Sequence, residues 1–310
     1  MKRLRADELR GNWCTPLLPI RHDDSIDFQA LDEQLATILS FGVDGIYTNG
    51  TAAEFFSQTE DEFDRVSQQV ADACHRTGVP FQLGVSHTSP WISRDRLRRA
   101  VRWQPSALQL ILPDWPAPSL VESVAFLQTM ERLADGIGLV LYNPPHAKRH
   151  LLPREFAMLH QQVPSLIGLK VAGGDETWFT EMNRLVPKLS VFVPGHFLAD
   201  MLPRGAHGAY SNVACLHPGA AQQWYRQMHM DPAVALELGV RIKRFMADQI
   251  QPLLEQQFAN HAIDKLLACI GGWTAMTPRV RWPYQSIPVE TVPQIRDAAR
   301  RLLPEFFPER

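Results

Sequence analysis

One lysine stands apart from the rest. Of the 31 basic residues in this 310-residue chain, only six are lysines. Five of them, Lys2, Lys148, Lys188, Lys243 and Lys265, lie in polar loops or on helix patterns. The sixth, Lys170, sits in Leu166-Ile167-Gly168-Leu169-Lys170-Val171-Ala172, an apolar run that reads as a β-strand. An ammonium in such a place is costly to desolvate, so its pKa falls. The neutral amine that results can attack a carbonyl carbon and form a Schiff base. Arginine has no such use, because its guanidinium stays protonated. The alternative is structural: a lysine that snorkels to solvent or pairs with a carboxylate.

Two further segments fit carbonyl chemistry. Tyr142 ends the preceding apolar run, in Leu139-Val140-Leu141-Tyr142-Asn143-Pro144-Pro145. Neighbouring parallel strands lie about 4.8 Å apart, so a phenol at one strand end reaches an amine near the next. There it can carry protons for carbinolamine formation. Gly50-Thr51 forms a small-residue loop whose backbone N–H groups suit a carboxylate. The metal alternative lacks ligands. The 11 histidines include no His-Glu-x-x-His pattern, and Cys14, Cys74, Cys215 and Cys269 lie far apart.

The elements that must position these residues repeat. Short apolar runs occur near Gly11–Thr15, Gly45–Thr48, Phe81–Val85, Ala107–Leu112, Leu139–Asn143, Leu166–Val171, Val191–Val193 and Gly208–Ser211. Helical patterns lie between them. One opens at Thr59 and Glu62 and another at Ser119 and Glu122, both with capping-box spacing. Asp175 opens a third, and Gly42, Gly78 and Gly136 stop others. Strand–helix alternation implies parallel strands, and eight units in about 225 residues match a closed (β/α)8 barrel. No Gly-x-Gly-x-x-Gly follows an early strand, which disfavours an open doubly wound sheet. The fold expectation is therefore an α/β (β/α)8 TIM barrel over residues 1–228. A three-helix C-terminal extension, 229–310, packs on it as part of one folding unit. Its helices are expected at Asp231–Gln257, where Pro252 kinks or shortens the helix, at Ala259–Ile270 and within Pro288–Leu303.

Composition narrows the classes. A net charge of -2 gives no basic footprint for nucleic acid. The run Arg94-Asp95-Arg96-Leu97-Arg98-Arg99 reads instead as a solvated helix face. No apolar run approaches the roughly 18 residues of a membrane span, and the charged start leads into no secretory signal. A soluble cytoplasmic protein with reduced thiols is expected.

Together these segments resemble the dihydrodipicolinate synthase/N-acetylneuraminate lyase family of class I, Schiff-base aldolases, over nearly the whole chain. Ile167-Gly168-Leu169-Lys170 is similar to the segment around the family's Schiff-base lysine. Tyr142-Asn143-Pro144-Pro145 is similar to its Tyr-Asn-x-Pro proton-relay segment, and Gly50-Thr51-Ala52-Ala53-Glu54 to its carboxylate-binding turn. Gly205-Ala206-His207-Gly208-Ala209-Tyr210-Ser211-Asn212 resembles its Gly-x-x-Gly-x-x-Ser segment. The resemblance implies Lys170, Tyr142 and Thr51 as catalytic residues. It places Gly50, Ala52, Ala53, Trp115, Gly195, His196 and Ser211 around a small-molecule 2-oxo acid. It implies no cofactor beyond the covalent Schiff base on lysine, no metal, and a homo-oligomer built as a dimer of dimers.

Three departures argue against the synthase of the family's title. Trp115 stands where that enzyme has a second relay tyrosine, and an indole offers only a weakly acidic N–H. Ala147 stands where it has an arginine for the aldehyde substrate's carboxylate. Ala52 and Ala53 replace a threonine and a glycine of the turn. The expected function is a lyase acting on pyruvate or a 2-keto-3-deoxy acid, by aldol cleavage, condensation or dehydration. The alternatives are a synthase-like condensation of pyruvate with an aldehyde, or a keto-acid-binding barrel without turnover.

Overall fold

A computed structural model describes residues 1–308 of the chain. Eight strands close into a barrel in chain order, each parallel to the next, with the eighth paired to the first. They are β1 (Gly11–Cys14), β2 (Gly45–Thr48), β3 (Phe81–Gly84), β4 (Ala107–Ile111), β5 (Gly138–Asn143), β6 (Leu166–Val171), β7 (Ser190–Pro194) and β8 (Gly208–Tyr210). Each boundary falls within one residue of the sequence expectation. The helices of the ring are α1 (Phe28–Ser40), α2 (Glu60–Thr77), α3 (Pro90–Ala100), α4 (Leu120–Leu133), α5 (Pro153–Gln162), α6 (Glu176–Leu185), α7 (Leu198–Met201) and α8 (Asn212–Leu216).

Local chemistry sets the helix starts. Thr59 and Glu62 close a capping box at α2, with Thr59 Oγ1 accepting from the Glu62 N–H at 3.3 Å and Glu62 Oε2 accepting from the Thr59 N–H at 2.9 Å. Ser119 and Glu122 do the same at α4. These boxes satisfy N–H groups that have no partner inside the helix.

Two apolar layers hold the barrel. The outer one fills the space between strands and helices and continues into the C-terminal helices. The inner one fills the barrel lumen with Leu9, Trp13, Tyr47, Val140, Phe192 and Tyr210. Its aromatic rings meet edge-on or tilted, Tyr47 and Tyr210 at 4.7 Å and Phe192 and Tyr210 at 4.6 Å between centroids. Trp13 fits because β2 offers Gly45 opposite it; a Cβ there would lie 2.5 Å from the indole.

The arginine run on α3 departs from expectation. Arg96 is fully buried, although the run reads as a solvated face. It donates to Glu60 Oε1 at 2.9 Å and to the carbonyls of Phe55 at 3.1 Å and Ser86 at 2.9 Å. The reason is helical phase. Ser93, Arg96, Leu97 and Ala100 form the buried stripe of α3, and Arg96 ties the loops after β2 and β3 together.

After α9 (Pro218–Met230) the described residues form helices and loops with no further strand. α10 (Pro232–Phe245) passes into a π-helical turn, Met246–Ile250, and resumes as α11 (Gln251–Glu255). Pro252 explains the interruption. It lacks an N–H, and its ring would meet the carbonyl four residues back in a regular helix. The wider turn, in which the Gln251 N–H reaches the Met246 carbonyl, carries the helix past it. α12 (Asn260–Gly271) ends at Gly272, whose φ of 68° is left-handed, and α13 (Thr291–Leu302) follows. Among the described residues no helix is long and apolar enough to cross a membrane.

Candidate active site

Lys170 and Tyr142 are direct register partners on β6 and β5, so both side chains leave the sheet at the same height. They open into a cavity of about 460 Å3 at the C-terminal ends of the strands. Thr51 and Ala52 line it from the turn after β2, and His196 and Asn212 from the loops after β7 and β8. The far wall comes from the extension: Met246, Ala247 and Ile250 of the π-helical turn, Lys243 of α10, and Ile263 and Asp264 of α12.

Lys170 stands in a cage of tyrosines. Its Nζ lies 4.3 Å from the ring centre of Tyr142, 5.1 Å from Tyr47 and 5.3 Å from Tyr210. Ring faces attract an ammonium. Lost hydration outweighs that attraction: burial pulls the Lys170 pKa down from 10.5 to about 8, against the opposing charge of Asp264. No described carboxylate lies within ion-pair distance, and Lys170 makes no hydrogen bond to another described residue. Much more neutral amine is therefore present near neutral pH than an ordinary lysine holds.

The three phenols differ. Tyr210 donates to Gln82 Oε1 at 2.7 Å inside the lumen and is already satisfied. Burial pushes Tyr47 well above the usual phenol range. Tyr142 is pushed up to about 12 by burial, while the neighbouring Thr51 side chain pulls it back. Tyr142 thus stays protonated at neutral pH and can pass a proton through Thr51.

The turn after β2 is built as a cradle. The Ala53 and Glu54 N–H groups bond the Gly50 and Thr51 carbonyls at 3.1 and 3.0 Å. Those of Thr51 and Ala52, two residues that line the cavity, have no backbone partner among the described residues. Positive φ falls on Asn49 (54°) and Glu54 (48°), so Ala53 carries no left-handed strain. Glu54, fully buried, pairs with Lys265 of α12, also fully buried. Lys265 further donates to the Arg279 carbonyl at 2.7 Å. The buried, paired lysine expected as the structural alternative for Lys170 is therefore Lys265, which the sequence reading left on an ordinary helix pattern.

Of the expected site residues, Lys170, Tyr142, Thr51, Ala52 and His196 line the cavity together. Gly50 and Ala53 support the turn behind Thr51. Ser211 caps α8, its Oγ accepting from the Ala214 N–H at 3.1 Å, and Gly195 packs against that hydroxyl. Trp115 lies outside, 85% exposed at the rim, where Lys148 Nζ donates to its carbonyl at 2.7 Å. Asn212 closes the family-like segment read at the end of β8 but was given no role, and Tyr47, Tyr210, Lys243, the π-helical turn and Asp264 were missed. The sequence signal for these is a tyrosine near the end of β2 or β8, and a charged pair, Asp264-Lys265, inside a largely apolar helix. No group of three or more histidines, cysteines or acids is arranged to hold a metal among the described residues.

Comparison with known proteins agrees with the barrel fold. The family model described as the dihydrodipicolinate synthetase family matches residues 8–301. The chain belongs to that family. It is similar to a 4-hydroxy-tetrahydrodipicolinate synthase of Haloarcula marismortui, 27% identical over 181 residues, 58% of each chain. It is also similar to a trans-O-hydroxybenzylidenepyruvate hydratase-aldolase of Sphingobium xenophagum, 26% identical over 179 residues, 55% of this chain and 54% of that one. The chain thus spans just over half the length of these two curated relatives. The structure superposes on YagE, a prophage protein of the dihydrodipicolinic acid synthase family from E. coli K12 solved with pyruvate, with a TM-score of 0.82. That match is 17% identical and covers 95% of this chain and 99% of that one, and it carries the fold. Members of the dihydrodipicolinate synthetase family are class I aldolases and lyases that work through a lysine Schiff base with no external cofactor.

Proposed function

We propose that the protein is a lyase that holds a 2-oxo acid as an iminium on Lys170. The observation that carries this reading is the lysine itself: caged by tyrosines, without an ion-pair partner among the described residues, and in register with Tyr142. The substrate carboxylate binds at the Thr51 and Ala52 N–H groups and the Thr51 hydroxyl. Lys170 attacks the keto carbon, and Tyr142 with Thr51 carries protons. The iminium then withdraws electrons from the next carbon, so a bond to it breaks or forms.

The far wall bears on the second half of the substrate. Met246, Ala247, Ile250, Leu254 and Ile263 make most of this wall apolar, and Lys243, Gln251 and Asn260 are its polar side chains besides Asp264. Ala147 supplies no cation for a second carboxylate. Both features favour a substrate whose second half is largely apolar, cleaved to pyruvate and an aldehyde, over synthase-like condensation with a carboxylated aldehyde. We further propose a homo-oligomer, a dimer of dimers, and a cytoplasmic location, in keeping with four buried free cysteines.

Borohydride trapping with pyruvate, read by mass spectrometry, tests the central claim. A pyruvyl adduct on Lys170, absent in Lys170→Ala, is the expected result. The absence of any adduct across a panel of 2-oxo acids overturns it.

A further inference from the structure

Asp264 belongs to the extension, yet it lines the same cavity as Lys170. Its place follows from the neighbouring residue. Lys265 turns to the buried Glu54 and fixes the rotation of α12, so the residue before it faces the cavity. Asp264 has no cationic partner within ion-pair distance among the described residues. Its described side-chain contact is with the Cys215 thiol of α8. The other groups that face it are Lys170 of β6, Tyr47 of β2 and Tyr142 of β5. Arg296, on the packed helix α13, is spent on the Cys269 and Ile270 carbonyls. Lys243, across the cavity, is held by Asp200 at 2.8 Å. A half-buried carboxyl group without a cation beside it, sharing a cavity with an unpaired amine, has a use in Schiff-base formation.

We propose that Asp264 is the acid that protonates the hydroxyl leaving the carbinolamine, and that its carboxylate then serves as counter-charge to the Lys170 iminium. This rests on the Schiff-base reading and deepens it. The Lys170 nitrogen forms a bond to the keto carbon, and the carbonyl oxygen becomes the carbinolamine hydroxyl after proton transfer from that nitrogen. The carbon–oxygen bond then breaks, the Asp264 proton leaves with the oxygen as water, and the nitrogen keeps the positive charge. The sum is Asp264 carboxylic acid, Lys170 amine and ketone going to carboxylate, iminium and one water. No other proton source is needed. Burial raises the Asp264 carboxyl to about 7 while it lowers Lys170 to about 8. Between those values the pair holds one proton, and the form with that proton on Asp264 is the reactive one.

The test is the pH dependence of the trapping rate with pyruvate and borohydride. The wild-type rate rises as the doubly protonated pair loses its first proton, and falls as the second is lost and no acid remains. Asp264→Asn is expected to lower the rate about tenfold or more and to remove the falling limb. Its single rising limb lies below the wild-type Lys170 value, because no carboxylate then holds the ammonium. Asp264→Ala is the second variant, and added formate is expected to raise its rate. An unchanged two-limbed profile and rate in Asp264→Asn, or in Asp264→Ala without formate, overturns the role of Asp264. In that outcome the adduct still forms on Lys170 and the Schiff-base reading stands. A wild-type protein that forms no adduct sinks the Schiff-base reading itself.

Discussion

The two walls of the cavity are made differently. The barrel wall consists of strand ends and the turn after β2, where register and backbone hydrogen bonds fix Lys170, Tyr142 and Thr51. The extension wall consists of helices laid across the barrel mouth, and one of them is irregular where it faces the cavity. The barrel wall carries the amine, the phenol and the carboxylate cradle. The extension wall brings mostly apolar side chains, the polar Lys243, Gln251 and Asn260, and one acid, Asp264. The contrast teaches a division of labour: one wall is built for the bond to lysine, the other for what the rest of the substrate meets, with Asp264 alone reaching from the second wall to the chemistry of the first. Strand ends tolerate little drift, so they suit bond-making geometry. A helix packed by side chains alone can change its lining at smaller cost.

The largest effects are expected on the barrel wall. Lys170→Ala and Lys170→Arg are expected to bring turnover and pyruvate trapping to background, since neither leaves a nucleophilic amine. Residual trapping in Lys170→Ala, located by mass spectrometry on another lysine, breaks the assignment of the bond to this wall. Tyr142→Phe is expected to lower kcat by about 10²–10⁴-fold, the usual worth of a placed proton carrier, while pyruvate still binds. Stopped-flow rates of adduct formation and release check which step slows.

The next effect joins the walls. Glu54 lies behind the cradle and Lys265 on α12, and both are fully buried. Removing one partner of such a pair leaves an uncompensated charge and typically costs about 3–5 kcal/mol. Lys265→Met is expected to show that loss in denaturant unfolding, and Glu54→Gln together with Lys265→Met less than the sum of the two. We propose that residues 1–228 and 229–310 unfold as one unit. Fluorescence and circular dichroism transitions are then expected to coincide in the wild type; separate transitions overturn that proposal.

The same contrast governs what could be read from the sequence. The barrel was legible because alternation of short apolar runs and capped helices is a local signal, and strand ends mark where reactive groups emerge. Lys170 was legible because a charge in an apolar strand contradicts its surroundings. The extension wall was not legible in that way. A helix pattern shows which face is buried, but cavity lining and core packing use the same residues. Met246 and Ile250 look like any buried positions, and the π-helical turn follows from Pro252, whose effect was expected as a kink or an early end. Lys265 looked ordinary because Glu54, which makes it necessary, is distant in the chain. Arg96 was misread because a run of charges hid its phase on α3.

The smallest effect is the one that sharpens the contrast most. If the extension wall receives the second half of the substrate, changes to its apolar side chains, away from Asp264, should alter choice of aldehyde and leave the lysine chemistry intact. Ile250→Asn puts an amide on the apolar wall, where an apolar substrate leaves it unpaired. A single side-chain mismatch in an apolar pocket is worth about 10–200-fold in kcat/KM. The variant is expected to lose a factor in that range with aldehydes bearing apolar chains, relative to hydroxylated ones. Its rate of pyruvate trapping should stay within about twofold of wild type, because the iminium forms on the other wall. Equal losses for both aldehyde classes break the division between the walls. So does a fall in trapping as large as the fall in turnover, since Ile250 would then be acting through Lys170.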